Sequence, residues 1–378
     1  VRPVYITRLS KFLPNDPVTN DEMEDILGIV GDKPSKARAI VLRNNGIKRR
    51  YYAFRNGKGT HTNTEMAAAA LRGLFDETLP IDSLELIAIG TSTPEQLIPS
   101  HAVMVHGQMG MSRPAEVIST AGVCCSGMQA MKYAYLSVGS GLTNIAASCG
   151  SERISTWMHA SRFQPEVENL KKLEANPYIA FEKDFLRWML SDGAGAALLQ
   201  PDPAPEGHSL RIEWLEICSY AHELETCMYA GAIKNEDASV TGWNELSPET
   251  WHQESVFSAK QDTRLLGEHI VARGGQFLET VMKKHQLSSE QVDYFLPHMS
   301  SEFFRDQIQQ TLKQTGLDIP FEKWFYNLPD VGNVGSASPY LMLEELFHSG
   351  RLRKGDRLLV MVPESARFSY AYLYLTVV

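Results

Sequence analysis

Thr120-Ala121-Gly122-Val123-Cys124-Cys125-Ser126-Gly127-Met128-Gln129-Ala130-Met131 is the stretch from which the rest of the chain can be read. Apolar Val117 and Ile118 lead into it, a turn of glycine and small residues follows, and Met128 to Tyr135 are helix formers. A cysteine at such a turn sits at a helix N-terminus, where free N–H groups and the dipole stabilise a thiolate and lower its pKa. The same N–H groups can hold an oxyanion. Gly127 lets another segment or a substrate approach closely. Taken alone, the stretch has a second meaning: Cys124 and Cys125 as small buried apolar residues, the usual state of free cysteines.

A cysteine nucleophile needs a base or a polarising partner. Of the eleven histidines, His298 is the best placed, because it follows the short apolar strand that ends Phe295-Leu296-Pro297. The C-terminal end of a strand is where α/β sheets put their sites. A histidine merely satisfied at a strand end is the plainer reading of the same residue. Farther on, Gly332-Asn333-Val334-Gly335-Ser336-Ala337-Ser338 is rich in residues with little or no side chain. Such a loop lets the Asn333 amide point into a cavity, or is a tight turn before the helix Pro339 to Phe347. It is not a dinucleotide fingerprint, since the G-x-G-x-x-G spacing is absent.

Outward from these segments, the chain breaks once in composition, at Gln200-Pro201-Asp202-Pro203-Ala204-Pro205-Glu206-Gly207. Its prolines continue neither a helix nor a central strand. The halves on either side, residues 1–199 and 209–378, echo one another. Glu65 to Phe75 reads as a buried helix followed by the strand Leu84 to Gly90. Ile270, Val271, Phe277, Leu278, Val281 and Met282 share a helix face, and the strand Val292 to Pro297 follows. Each half closes on apolar strands, Gly195 to Leu199 in the first, Arg357 to Val362 and Tyr370 to Val378 in the second. Alternating helices and buried strands predict an α/β fold with mostly parallel central strands. The polar segment from Ser219 to Asp262 predicts an insertion of loops and short helices that covers something.

The 378 residues are 43% hydrophobic and 21% charged, which excludes a disordered chain, a collagen-like repeat and a coiled coil. No uncharged apolar run approaches the roughly 20 residues of a membrane-spanning helix. Val1 to Phe12 has no apolar h-region or small-residue cleavage site, so no secretory signal is expected. Five cysteines without a C-x-x-C pair or zinc spacing argue against a disulfide framework or a metal site and for a reducing cytoplasm. A net charge of −9 argues against nucleic acid as a partner. The basic runs Lys48-Arg49-Arg50 and Arg351-Leu352-Arg353-Lys354 are either solvated surface or the receiving patch for an acidic partner.

Taken together, Cys in T-A-G-V-C-C-S-G, His in L-P-H-M-S-S and Asn in G-N-V-G-S-A-S resemble, in order and spacing, the β-ketoacyl-acyl-carrier-protein synthase III-like condensing enzymes of the thiolase fold. Ser191-Asp192-Gly193-Ala194-Gly195-Ala196-Ala197 is similar to the family's G-D-G-A-G-A strand, and Asn45-Gly46-Ile47-Lys48-Arg49-Arg50 to its T-G-I-x-x-R segment. Each match is weak alone; five in the right order span the whole chain. The resemblance implies duplicated βαβαβαββ halves in a five-layered αβαβα core, usually in a homodimer. It implies Cys125 rather than Cys124 as the nucleophile, because one small residue and then Gly follow Cys125. It implies His298 and Asn333 as the pair that holds a thioester oxygen while a carbanion develops. Acyl thioesters on acyl carrier protein or coenzyme A are the implied substrates, with no cofactor or metal.

The chain departs from the family where Pro363-Glu364-Ser365-Ala366-Arg367-Phe368-Ser369 replaces a closing G-G-G-x-x-x-G loop. The family's adenine-stacking tryptophan is missing near Arg38 to Val41, which favours a carrier protein over coenzyme A. Glu152, in Gly150-Ser151-Glu152-Arg153 after the strand Ile145 to Ser148, is a candidate second acid/base or a structural carboxylate. These features and the opening V-Y-I-T-R-L-S-x-F-L-P-N are most similar to the ketosynthase/cyclases of dialkylresorcinol and stilbene-type pathways. That branch implies joining a β-ketoacyl to an α,β-unsaturated acyl thioester and closing a cyclohexanedione ring. The competing expectations are an initiating synthase with a linear β-ketoacyl product and a non-catalytic ketosynthase-like partner. A papain-like hydrolase also uses Cys, His and Asn, but its C-G-[SA]-C-[WY] signature is absent.

Overall fold

The computed structural model describes residues 2–30, 38–162 and 186–378. Nine strands among them form one sheet: β1 (Tyr5–Phe12), β2 (Leu86–Thr91), β3 (Glu116–Ala121), β4 (Ala146–Glu152), β5 (Gly193–Gln200), β6 (Leu210–Ser219), β7 (Tyr294–Pro297), β8 (Arg357–Glu364) and β9 (Ser369–Val377). From one edge to the other they run β7, β8, β9, β6, β1, β5, β4, β2, β3. Before and after the proline-rich break, the same succession of pairings occurs. The pairs β1–β5 and β6–β9 are antiparallel, as are β5–β4 and β9–β8, whereas β4–β2 and β8–β7 are parallel. β3 adds a parallel strand at the far edge. The two runs join where β1 meets β6, at Tyr5↔Arg211 and Ile6↔Leu210.

The sheet is therefore mixed, and antiparallel pairings outnumber parallel ones, contrary to the mostly parallel core that the apolar runs predicted. The reason is burial on both faces. It makes antiparallel β5 and β9 read as the same uninterrupted apolar runs as parallel strands.

Helices cover both faces. They are α1 (Asn63–Arg72), α2 (His101–Gln108), α3 (Cys124–Ser140), α4 (Thr263–His285), α5 (Arg305–Gln314) and α6 (Ser338–His348). α1 starts at a capping box in which Thr62 accepts from the Glu65 N–H and the Glu65 carboxylate returns to the Thr62 N–H. α4 starts where Asp262 accepts from the Leu265 N–H and ends on Lys283, Lys284 and His285, complementing the helix dipole.

Alternate residues of each strand enter different cores, as the period of two requires. In β5, Ala194, Ala196 and Leu198 pack with α1 and α2, while Ala197 and Leu199 pack with α3 and α6. In β9, Ala371, Leu373 and Leu375 face α3 and α6, while Tyr370, Tyr372 and Tyr374 face α4 and α5. The order of layers is thus α1/α2, first half of the sheet, α3/α6, second half of the sheet, α4/α5. No helix among the described residues is long and apolar enough to cross a membrane. The Ser219–Asp262 insertion holds four short strands, a single turn of 3₁₀ helix and one short α-helix, Pro248–Gln253.

The loop before α6 is wedged between α3 and β4. A Cβ at Gly127 would lie 2.3 Å from the Ser336 carbonyl oxygen, and one at Gly150 only 2.2 Å from it. Only glycine admits that approach. Gly150→Ala should overpack the joint and cost about 1–3 kcal/mol, read as a lower urea midpoint at unchanged slope.

Candidate active site

A largely apolar cavity of about 1070 Å³, its open mouth included, lies between β8, β9, α4 and α5. Leu266, Ile270, Leu278, Ile308 and Leu312 form its far walls, and Met228, Ala259 and Gln261 of the insertion help to close it. Two tyrosines of β9 brace α4 across it: the Tyr370 hydroxyl donates to the Ile270 carbonyl at 2.9 Å and the Tyr372 hydroxyl to that of Gly274 at 3.2 Å. Ser92, Cys124, His298, Asn333 and Gly335 share its lining.

His298 follows β7 directly, and its backbone N–H is tied to the Met361 carbonyl of β8 at 2.8 Å. Burial pushes its imidazole pKa down to about 4, so the ring is neutral near pH 7 and one nitrogen donates. Asn333 is clamped by its main chain, its N–H donating to Met189 at 3.0 Å and its carbonyl accepting from Ser191 at 2.8 Å. The Gly335 N–H donates to Asn333 Oδ1 at 2.9 Å, which orients the amide so that its NH₂ remains for a bound group. The two residues predicted as an oxygen-holding pair thus meet on one cavity.

The adjacent cysteines separate. Both lie in the first turn of α3, but the cavity wall carries Cys124, while Cys125 is fully buried with its thiol on the Val362 carbonyl at 3.3 Å. α3 has no side-chain cap of its own. Glu364, at the end of β8, supplies one: its Oε2 accepts from the Val123 N–H at 3.0 Å and the Cys125 N–H at 2.9 Å. The expected lowering of the thiol pKa by the helix N-terminus is not what results. Burial, reinforced by the Glu364 carboxylate, pushes both thiols well above their ordinary value.

Glu152 belongs to β4 itself rather than to the loop beyond it, since the strand runs on to this residue. It is fully buried and does not line the cavity. Ser92 Oγ donates to it at 2.6 Å, Thr93 Oγ1 at 2.8 Å and the Ser336 N–H at 3.2 Å, with the Ser92 N–H at 3.1 Å. Burial nonetheless raises its pKa above the usual carboxylate range. The remaining two motifs form a neighbouring wall. Asn45 Nδ2 and the Arg50 guanidinium both donate to the Trp188 carbonyl at 3.0 Å, while Asp192 accepts from the Ala53 N–H at 2.7 Å and the Ser155 N–H at 2.8 Å.

Two residues of the site have no role assigned by the sequence alone: Ser92, and Glu364 within the Pro363–Ser369 segment. Ser92 lies in a run of hydroxyl residues, Thr91-Ser92-Thr93, at the C-terminal end of an apolar strand. Glu364 is a lone carboxylate at the end of another, and those two placements were the available signals.

Comparison with known proteins agrees with this architecture. Residues 282–365 match the family described as 3-oxoacyl-[acyl-carrier-protein (ACP)] synthase III C terminal. The β-ketoacyl-[acyl-carrier-protein] synthase III of Neisseria gonorrhoeae is 25% identical over 358 residues, covering 94% of this chain and 93% of its own. That of Allorhizobium ampelinum is 25% identical over 356 residues, covering 92% and 91%. Among solved structures, AbyA1, a tetronic acid condensing enzyme, superposes with a TM-score of 0.76 at 19% identity over 99% of both chains. OleA of Xanthomonas campestris, solved with lauric acid and lauroyl-CoA bound, gives 0.74 at 19% identity, again over 99% of both. The layered sheet is that of the thiolase fold. The chain is thus similar over nearly its whole length to the β-ketoacyl-acyl-carrier-protein synthases III, carries their C-terminal region at residues 282–365, and is an acyl-transferring condensing enzyme.

Glu364→Gln keeps an oxygen acceptor for the α3 N–H groups and removes a negative charge beside the thiols. The cysteine pKa should fall, read as a shift to lower pH in the rate profile of iodoacetamide alkylation.

Proposed function

We propose that the chain is a ketosynthase/cyclase that joins a β-ketoacyl thioester to an α,β-unsaturated acyl thioester and closes a cyclohexanedione ring, the precursor of a dialkylresorcinol. The observation that carries this reading is the buried Glu152 carboxylate, hydrogen-bonded to a serine on the wall of the cavity that His298 and Asn333 also line. One condensation needs only an acyl-cysteine and a stabilised carbanion. A ring needs a second carbon–carbon bond, hence a second proton abstraction, and a carboxylate raised by burial is a suitable base.

In this reaction the thiolate of a cysteine in the first turn of α3 attacks the carrier thioester, and the carrier thiol leaves with a proton. The Cys-x-Gly spacing to Gly127 points to Cys125, and Cys124 then forms the wall in front of it. The neutral His298 and the Asn333 NH₂ donate to the oxygen of the second thioester as its α-carbon becomes an enolate. That carbon attacks the acyl-cysteine and releases the thiol; Michael-type addition to the unsaturated acyl group then closes the ring. The apolar walls of α4 and α5 suit aliphatic acyl chains. No tryptophan stands among Arg38 to Val41, which favours acyl carrier protein as the donor.

The same reading places the enzyme in a reducing cytoplasm, where its five cysteines stay free thiols. It also makes the enzyme a homodimer. Among the described residues β3 is an edge strand, and Leu97, Ile98, Val103, Tyr133 and Leu136 are exposed on the first half. Light scattering should give twice the chain mass, and a single-chain mass would remove this part of the reading.

Given defined β-ketoacyl and 2-enoyl thioesters, the enzyme should release a product with the mass and spectrum of a cyclohexanedione; only a linear product would sink the cyclase reading. Radiolabelled acyl thioester should label wild type and Cys124→Ala but not Cys125→Ala. The reverse pattern would assign the nucleophile to Cys124.

A further inference from the structure

Glu152 faces a difficulty if it is to act on a substrate. Its side chain is fully buried, and the cavity lining includes Ser92 and Gly335 in front of it but not Glu152 itself. A base that cannot touch the carbon acid needs an intermediary that can both accept and give a proton. A hydroxyl does this; an amide N–H does not.

Ser92 meets the geometric requirement. Its Oγ donates to Glu152 Oε2 at 2.6 Å, a short charge-assisted bond, and the residue lines the cavity. Thr93 Oγ1 also donates to Oε2, at 2.8 Å, but Thr93 is buried and off the cavity wall. The Ser336 hydroxyl also favours the carboxylate but is fully buried and off the cavity wall, and the backbone N–H groups of Ser92 and Ser336 hold it in place without carrying a proton away. Gly335 closes the arrangement. Its φ is +51°, and a Cβ there would lie 3.0 Å from Glu152 Oε1 and 3.1 Å from its Cγ, so a larger residue would displace the carboxylate.

We propose that Ser92 is a proton relay between the cavity and Glu152, and that the ring-closing proton abstraction runs through its hydroxyl; the second clause rests on the cyclase reading above. In the step, the C–H bond α to the substrate carbonyl breaks and its proton passes to Ser92 Oγ. The Oγ–H proton moves at the same time to Glu152 Oε2. The electron pair stays on the substrate as an enolate, serine is regenerated neutral, and Glu152 becomes a carboxylic acid. The reverse passage returns the proton when the product enolate is quenched. Ser92 thereby joins His298 and Asn333 as a group in contact with the reacting atoms.

The test reads proton transfer apart from ring formation. A 3-oxoacyl N-acetylcysteamine thioester is incubated in D₂O with the enzyme, and loss of its C2 hydrogens is followed by NMR, with the enzyme-free rate subtracted. Ser92→Ala should lose enzyme-catalysed exchange by about a hundredfold, the scale of a removed general base, and fall to the level of Glu152→Gln. Ser92→Thr should restore it, and labelling of the nucleophilic cysteine should be unchanged in Ser92→Ala. Exchange at the wild-type rate in Ser92→Ala, or no catalysed exchange in wild type, would overturn the relay. So would a loss that Ser92→Thr does not rescue and that takes cysteine labelling with it, since that pattern is structural. A wild-type enzyme that catalyses exchange yet yields only linear product would sink the cyclase reading and leave the relay standing.

Discussion

The structure depends on how closely the Ser336 backbone approaches its neighbours. This residue of the loop before α6 sits against Gly127 of α3 and Gly150 of β4, with no room at either place for a Cβ. Its hydroxyl makes close contacts with the Gly90 carbonyl at 3.1 Å and that of Ser151 at 3.3 Å, and its N–H donates to Glu152. One residue of the second half is thereby locked to two strands and a helix of the first. Asn333, three residues upstream, is carried to the cavity by the same joint. Slack there would shift Asn333 relative to His298 and the cysteines, and positioning is most of what such a site contributes.

A second constraint is electrostatic. The N-terminus of α3 would favour a thiolate if its N–H groups were free, yet Glu364 accepts from two of its backbone N–H groups and adds a negative charge beside the cysteines. Both thiols rest in the neutral form. Glu152 lies under the opposite balance: several donors converge on it, but complete burial still outweighs them. Both carboxylates stand at strand C-termini, one behind each half of the site. Neither touches solvent freely.

Much of this was legible in the chain. Strand-length apolar runs marked most of the strands of the sheet, and the helix face Ile270 to Met282 marked the wall that became α4. The proline-rich break fell between β5 and β6, where the paired successions of strands meet. His298 could be placed because Pro297 ends β7, and Asn333 because small residues surround it. What was not legible has physical causes. Strand direction in β5 and β9 leaves no trace when both faces are buried. The end of β4 was set too early, because Gly150, Ser151 and Glu152 are poor strand formers held in register by β5. The division of labour between Cys124 and Cys125 depends on the rotation of one helix turn. The α3 cap is supplied by a residue 239 positions away from Cys125, which no local pattern can reveal.

By itself, then, the order of residues determined the class of fold, the chemical types gathered at the site and the family that the chain resembles. These rest on local periodicity and on motifs whose spacing is short-range. The tertiary structure decided which thiol faces the cavity, that His298 is neutral, that Glu364 caps α3 and that Ser92 stands between Glu152 and the cavity. Each of these depends on distances between segments remote in sequence, on burial that only packing creates, and on approaches too close for any side chain but hydrogen.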